Sequence, residues 1–180
     1  MNIFDKDFKE IFSSQLVSIA GGLIVGTLLA IYTNQLLLIP GMLIILPGFL
    51  EMRGNISGSF ASRLSSGLFL NVIKPNNTKT KLIKGNLLAS FLLAMSVSFV
   101  LGLIAFIFNY FFMGILMYNI ILLPLIAGFI ANFIEVPLTL FTTLYLFKKG
   151  HDPNNIMGPF VTSTGDVTST ISLLIALMLI

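Results

Sequence analysis

Apolar residues run along this chain in long blocks, and the polar breaks between them carry most of the charge. A helix needs about 20 apolar residues to cross the hydrocarbon core of a bilayer, and the blocks reach that length. The first extends from Ser13 to Tyr32, with Gly21, Gly22 and Gly26 predicted to form one close-packing face. The second, from Leu36 to about Asn71, is too long for a straight span, since roughly 36 residues rise about 54 Å. It holds Pro40, Pro47 and Gly48, then the polar run Glu51-Met52-Arg53-Gly54-Asn55. It is expected as one tilted helix, kinked or broken near Pro47-Gly48 where proline removes a ladder donor. A re-entrant pair of half-helices is the alternative. The third block is Leu82 to Phe108, and the fourth is Asn119 to Phe147 with Pro124 and Pro137 inside it. The fifth is predicted to start at Asp152-Pro153, where Asp suits the N-cap and Pro the first turn. It continues to Ile180, its early turns loosened by Gly158-Pro159.

Ahead of the first block, Phe4, Phe8 and Ile11/Phe12 recur at helical spacing among Asp5, Lys6, Lys9 and Glu10. Residues 1–12 read as an amphipathic segment at the membrane surface, with a solvated tail as the alternative. Residues 13–180 read as a five-helix transmembrane domain, which makes the expected fold an all-α membrane protein.

Composition strengthens this picture. Hydrophobic residues make up 56% of the chain and charged residues 9%, against about 25% charged in soluble domains. The bilayer is the solvent that such a sequence fits. Charge placement then gives an orientation. Lys6 and Lys9 precede the first span, Lys74, Lys79, Lys81 and Lys84 surround the link from second to third, and Lys148 and Lys149 follow the fourth. The links Thr33 to Gln35 and Asn109 to Tyr118 hold no charge. With five spans every basic cluster falls on one side, which predicts a cytoplasmic N-terminus and an extracellular C-terminus. Tyr32, Tyr110, Tyr118 and Tyr145 all fall near span ends, where amphipathic rings prefer the interface. The start of the chain lacks a basic leader, so no cleaved signal is expected, and a prokaryotic plasma membrane is the default location. No clustered basic face of the kind that binds nucleic acid is present. With no cysteine and one histidine, His151, thiolate and His-rich metal sites are excluded. His151 reads as a solvated loop residue.

Ionisable groups inside a span cost about 2.5–3.5 kcal/mol each on insertion scales, so Glu51, Arg53, Arg63, Glu135 and Asp166 each call for a reason. Asp166 is the sharpest. It lies about 20 Å along the last helix, near the bilayer midplane, among Thr162, Ser163, Thr164, Gly165, Thr168, Ser169, Thr170 and Ser172. A carboxylate among hydroxyls and the backbone at Gly165 is a hard-oxygen setting for Mg²⁺ or Ca²⁺. The structural alternatives are a pair with Arg53 or Arg63, or a protonated acid. Glu51 and Arg53 could pair with each other or with another helix. Arg63 is expected to snorkel. Glu135 could line a hydrated path, take part in proton coupling, or pair with Arg63. Gly54 and Gly58 form a G-x-x-x-G pattern whose ordinary use is helix packing, while Asn55, Ser57 and Ser59 suggest that part of that face meets water or an ion. Asn86 and Asn132 are further buried-amide candidates.

These residues also carry a resemblance. Arg53-Gly54-Asn55 with Ala61-Ser62-Arg63-Leu64-Ser65, Lys84-Gly85-Asn86-Leu87, and Asp152-Pro153-Asn154-Asn155 followed by Gly158-Pro159-Phe160-Val161-Thr162 and Asp166 are similar in order and spacing to the membrane domain of MgtE-type magnesium transporters. They resemble the eukaryotic solute-carrier relatives of that family more closely still. The resemblance implies a five-helix unit paired about a two-fold axis, with the cation path between units and Asp166 recognising the hydrated ion. It implies lesser metal roles for Asn55 and Thr162; from the residues themselves, Gly165 and Glu135 are weaker metal candidates, and Gly54, Gly58, Arg63 and Asn86 are pore or packing candidates. Mg²⁺ is the implied cargo, with Mn²⁺ and Co²⁺ as further candidates, and no cofactor is implied. Two departures bear on mechanism. The bacterial family gates its pore with cytoplasmic domains, whereas about a dozen residues precede the first span here. The solute-carrier relatives hold two halves in one chain, and here there is one, so a homodimer or a pair with a paralogue is expected.

Three other readings compete. Ser163-Thr164-Gly165-Asp166 resembles the G-x-G-D string of intramembrane aspartyl proteases, but Ser163 replaces its first glycine and no second aspartate lies in a span. An enzyme is therefore not expected. A Na⁺- or H⁺-coupled exchanger using Glu135 or Glu51, and a non-transporting partner subunit, are the others.

Overall fold

The computed structural model describes residues 5–180, so residues 1–4 of the expected amphipathic segment, Phe4 among them, lie outside the described residues. The chain forms α1 (Lys6–Ile31), the short α2 (Thr33–Leu37), α3 (Met42–Phe69), α4 (Lys81–Phe108) closed by a π-helical turn (Asn109–Met113), α5 (Asn119–Lys148) and α6 (Pro153–Leu179). No strand forms among the described residues.

Four of these helices are long and apolar enough to cross a membrane: α1, α4 with its π turn, α5 and α6. The fifth long helix, α3, has 28 residues, about 42 Å of rise, but carries Glu51, Arg53 and Arg63 along its length.

Local sequence explains the boundaries. Asp5 caps α1, accepting from the Phe8 amide at 2.9 Å, and Thr80 caps α4 through the Ile83 amide. Asp152 caps α6 as its sequence predicts, accepting from the Asn154 amide at 2.8 Å, with Pro153 at the first helical position. These bonds satisfy amides that a helix start leaves without partners. The backbone runs through residue 12 without a break, so the described part of the amphipathic segment forms the opening turns of α1.

Three expectations are corrected. The long second block breaks at Pro40-Gly41 rather than at Pro47-Gly48. Gly41 takes φ +80°, a left-handed conformation that side chains resist, and α3 then passes through Pro47. Pro159 likewise lies within an unbroken α6. On α1, Gly21 alone of the three glycines packs against another helix; a Cβ there would meet Ser163 Oγ at 1.7 Å, while Gly22 and Gly26 meet nothing within 4 Å. One residue of helix turns a side chain by about 100°, which places Gly22 and Gly26 on the open side.

The helices alternate in direction. Ser14 meets Asn155 and Gly21 meets Ser163, so α1 runs parallel to α6. Gly54 meets Thr162, so α3 runs against α6, and Gly102 meets the Ile121 backbone, so α4 runs against α5. This topology brings the start of α1, the end of α3, the start of α4, the end of α5 and the start of α6, with the lysines in or beside them, to one end of the bundle. Half of the apolar stretch of α5 and of α6 is covered by protein, against 17% for α1 and 22% for α4, so α1 and α4 flank a centre made by α3, α5 and α6. One core joins Ile45, Phe49, Met52, Leu123, Ala127 and Leu173; a second, nearer the lysine end, joins Phe60, Leu64, Leu68, Ile83, Leu140 and Leu144.

Candidate functional site

Helical spacing of about four residues sorts the polar groups of α3 and α6 onto two faces. On α3, Glu51, Asn55, Ser59 and Ser62 follow one another on a side that no other part of the chain covers. On α6, Asn154, Gly158 and Thr162 are exposed in the same way, and Asp166, one turn further on, is half-buried. The two stripes run side by side because Gly54 and Gly58 let the helices approach: Cβ atoms added there would come within 3.6 Å of Thr162 and 3.9 Å of Val161. The G-x-x-x-G pattern therefore does what its ordinary reading says; Asn55 and Ser59 beside it stay uncovered, whereas Ser57, expected with them, is buried because it turns to the inner side of α3.

The acidic end of this surface holds two carboxylates. Asp166 and Glu51 lie within coulombic reach of each other, and Asn55 Nδ2 donates to Glu51 Oε1 at 3.1 Å. Thr162 donates its hydroxyl to the Gly158 carbonyl at 3.1 Å. Having spent its proton inside its own helix, that oxygen offers only lone pairs outward. Carboxylate, amide and hydroxyl oxygens of this kind suit a hard divalent cation or its water shell. Toward the lysine end the same two helices border a groove of about 320 Å³ lined by Gly58, Ala61, Ser62, Pro153, Asn154, Met157 and Gly158.

Asp166 makes no direct ion pair among the described residues; the direct pairs there are those of Glu10 with Lys6 and His151. The arginine partners considered for it go elsewhere. Arg63 is exposed on α3 and Nη2 donates to Ser90 Oγ at 3.3 Å. Arg53 is fully buried on the opposite side of α3 from Glu51, and its Nη1 donates to Asn132 Oδ1.

Glu135 and Gly165 belong to that inner side as well. Glu135 is fully buried on α5 and accepts from Thr168 Oγ1 at 3.0 Å. Gly165 is buried, and a Cβ on it would lie 3.9 Å from that of Arg53. It therefore faces the covered side of α6, while Asp166, the next residue round the helix, reaches the open one. Asn86, on α4, bonds its own helix at Leu82 O and joins neither face. The structure thus brings Asp166, Asn55 and Thr162 together, adds Glu51 to them, and places Glu135 and Gly165 behind.

A separate polar knot ties the start of α1 to the turn between α5 and α6. Glu10 is buried and meets His151 Nδ1 at 2.9 Å, and it accepts from Asn155 Nδ2 at 3.1 Å. His151 is therefore a bonded partner rather than a freely solvated side chain. Nothing local marks this pair, whose members stand 141 positions apart. Asn132, expected as a buried amide, is fully buried, but its partner and that of Thr168 lie on other helices and are seen only in the fold.

Comparison with known proteins adds one finding. The family model MgtE, described as a divalent cation transporter, matches residues 46–176, the stretch that contains both polar faces. No curated protein and no solved structure matches the chain.

Proposed function

Since the chain belongs to the MgtE family of divalent cation transporters, we propose that it carries Mg²⁺ across a membrane along a path lined by Asp166, where two copies of the chain meet. The observation that carries this reading is the uncovered polar surface of Glu51, Asn55, Thr162 and Asp166 in the middle of apolar helices. Lipid is a poor neighbour for such groups. A second copy placed about a two-fold axis would cover them and set a like surface opposite.

In this reading α3 is the fifth span, its polar face turned to the partner rather than to lipid. All five long helices then cross the bilayer, with the lysine-bearing end in the cytoplasm by the positive-inside rule and the plasma membrane as the location. Mg²⁺ gives up water reluctantly and holds an octahedral oxygen shell. Two Asp166 carboxylates, with Glu51 near each, would attract the ion through its waters. Repulsion among those carboxylates in a low-dielectric interface is relieved by a divalent ion more than by a monovalent one. The groove beside Ser62, Asn154 and Gly158 continues the polar surface toward the lysine end and is the natural route away from Asp166.

The test is Mg²⁺ uptake into liposomes holding only this purified protein, with Mn²⁺, Co²⁺ and Ca²⁺ as competitors. The proposal expects saturable uptake that divalent ions compete for and that needs no imposed Na⁺ or H⁺ gradient. Absence of uptake by the purified chain, or strict dependence on such a gradient, would contradict it.

A further inference from the structure

Behind the open face, against the covered side of α6, lies a buried set of polar groups. Arg53 on α3 and Glu135 on α5 are both fully covered. They attract each other without a direct ion pair. Each is held by a neutral partner instead, Arg53 by Asn132 Oδ1 and Glu135 by Thr168 Oγ1. Arg53 Nε and Nη2 and Glu135 Oε2 have no hydrogen-bond partner in the protein. So charge, rather than a saturated hydrogen-bond network, is what these two side chains share.

Their placement along α6 is the informative part. Arg53 lies against α6 at Gly165, and Glu135 takes the hydroxyl of Thr168. Asp166 is one of the two residues between those contacts, next to Gly165 and followed by Val167. Glu135 is also within coulombic reach of Asp166 itself. In a covered, low-dielectric interior, charges act on one another over longer distances than in water. A lone guanidinium one helix width behind the cation site would repel a divalent ion, and the Glu135 carboxylate cancels that repulsion.

We propose that Arg53 and Glu135 form a neutral charge pair that sets how tightly the Asp166 site holds its cation, acting from behind α6 without contacting the ion. This rests on the transport reading above. Glu135 is then a positioning and compensating residue, not a ligand. The pair's members should have opposite effects. Glu135→Gln leaves the arginine charge uncompensated and weakens cation binding. Arg53→Gln removes the repulsion and strengthens it. A purely structural pair would behave otherwise, since removing either member would cost folded protein and leave the affinity of the surviving molecules unchanged.

The experiment measures initial rates of Mg²⁺ uptake against Mg²⁺ concentration in liposomes, normalised to folded protein by size-exclusion chromatography. Wild type, Glu135→Gln, Arg53→Gln and the double variant are compared. The expected result is an apparent KM raised about tenfold in Glu135→Gln, lowered in Arg53→Gln, and returned to near the wild-type value in the double variant. If Glu135→Gln yields no folded protein, the lowered KM of Arg53→Gln carries the test. An unchanged KM in the folded single variants, with only yield or maximal rate affected, overturns the proposal. No flux through the wild type would instead overturn the transport reading, and this inference with it; a normal wild-type flux with unmoved KM values overturns this inference alone.

Discussion

At the scale of single residues, the acidic surface divides into groups with different expected weights. Glu51 stands near Asp166 and is bonded by Asn55, but it is more exposed than Asp166. Exposed charges are screened more strongly than half-buried ones. Glu51→Gln should therefore raise the apparent KM for Mg²⁺ about threefold to tenfold while leaving the maximal rate near wild type. Uptake kinetics of that variant check it; an unchanged KM would remove Glu51 from the site. Asp166 stands out in the sequence as a candidate because a carboxylate amid apolar and hydroxyl residues has few cheap explanations. The side to which each neighbour points was not legible. Gly165 and Asp166 are adjacent in the chain and face different sides of α6, and only the contact between Gly165 and Arg53 reveals which side is inward. Arg53 shows the same limit. It follows Glu51 by two residues, yet it is fully buried while Glu51 is exposed.

At the scale of elements, hydropathy and caps located the long helices closely: α4, α5 and α6 begin and end within about two residues of the apolar blocks that predict them. Proline alone proved a poor guide to where a helix breaks. Pro47 and Pro159 lie inside helices, and the break falls where Pro40 is joined by Gly41 at positive φ. Gly41→Ala should thus destabilise the protein by about 1–2 kcal/mol from backbone strain. A Cβ there would also press on Asn109 Oδ1 at 2.6 Å, so a thermal unfolding scan in detergent should show a clear fall in midpoint. An unchanged midpoint would mean that the turn does not need glycine. The knot at the lysine end makes a second prediction at this scale. His151→Ala removes one bond to the buried Glu10 carboxylate and should cost about 1–3 kcal/mol, read from the same scan. Because Asn155 still bonds Glu10, transport should survive. The knot escaped sequence reading for a physical reason: packing α1 parallel to α6 is what joins its two halves, and no local pattern encodes that.

At the scale of the whole molecule, the account turns on which surface meets a second copy. The polar stripe of α3 and α6 is one uncovered surface; the apolar outer side of α4, with Leu92, Leu93 and Val100 exposed, is another. Lipid suits the second and not the first. The chain contains no cysteine, so single cysteines can be placed without background. Asn55→Cys and Ser59→Cys should form disulfide-linked dimers in membranes under mild oxidation, and Leu93→Cys should not. Cross-linking at Leu93 in place of the α3 positions would put the interface elsewhere. Charge placement in the sequence already anticipated that the lysines gather at one end, because alternating helices carry every basic link there. Which polar residues the chain's own helices leave uncovered is not fixed by charge placement, since it depends on how the helices pack.

The most direct measurement compares Mg²⁺ uptake by wild type and by Asp166→Ala in liposomes, at equal amounts of folded protein. The account predicts that removing this half-buried carboxylate abolishes uptake while the protein keeps its fold and its association with a second copy. Uptake by Asp166→Ala at the wild-type rate would contradict it.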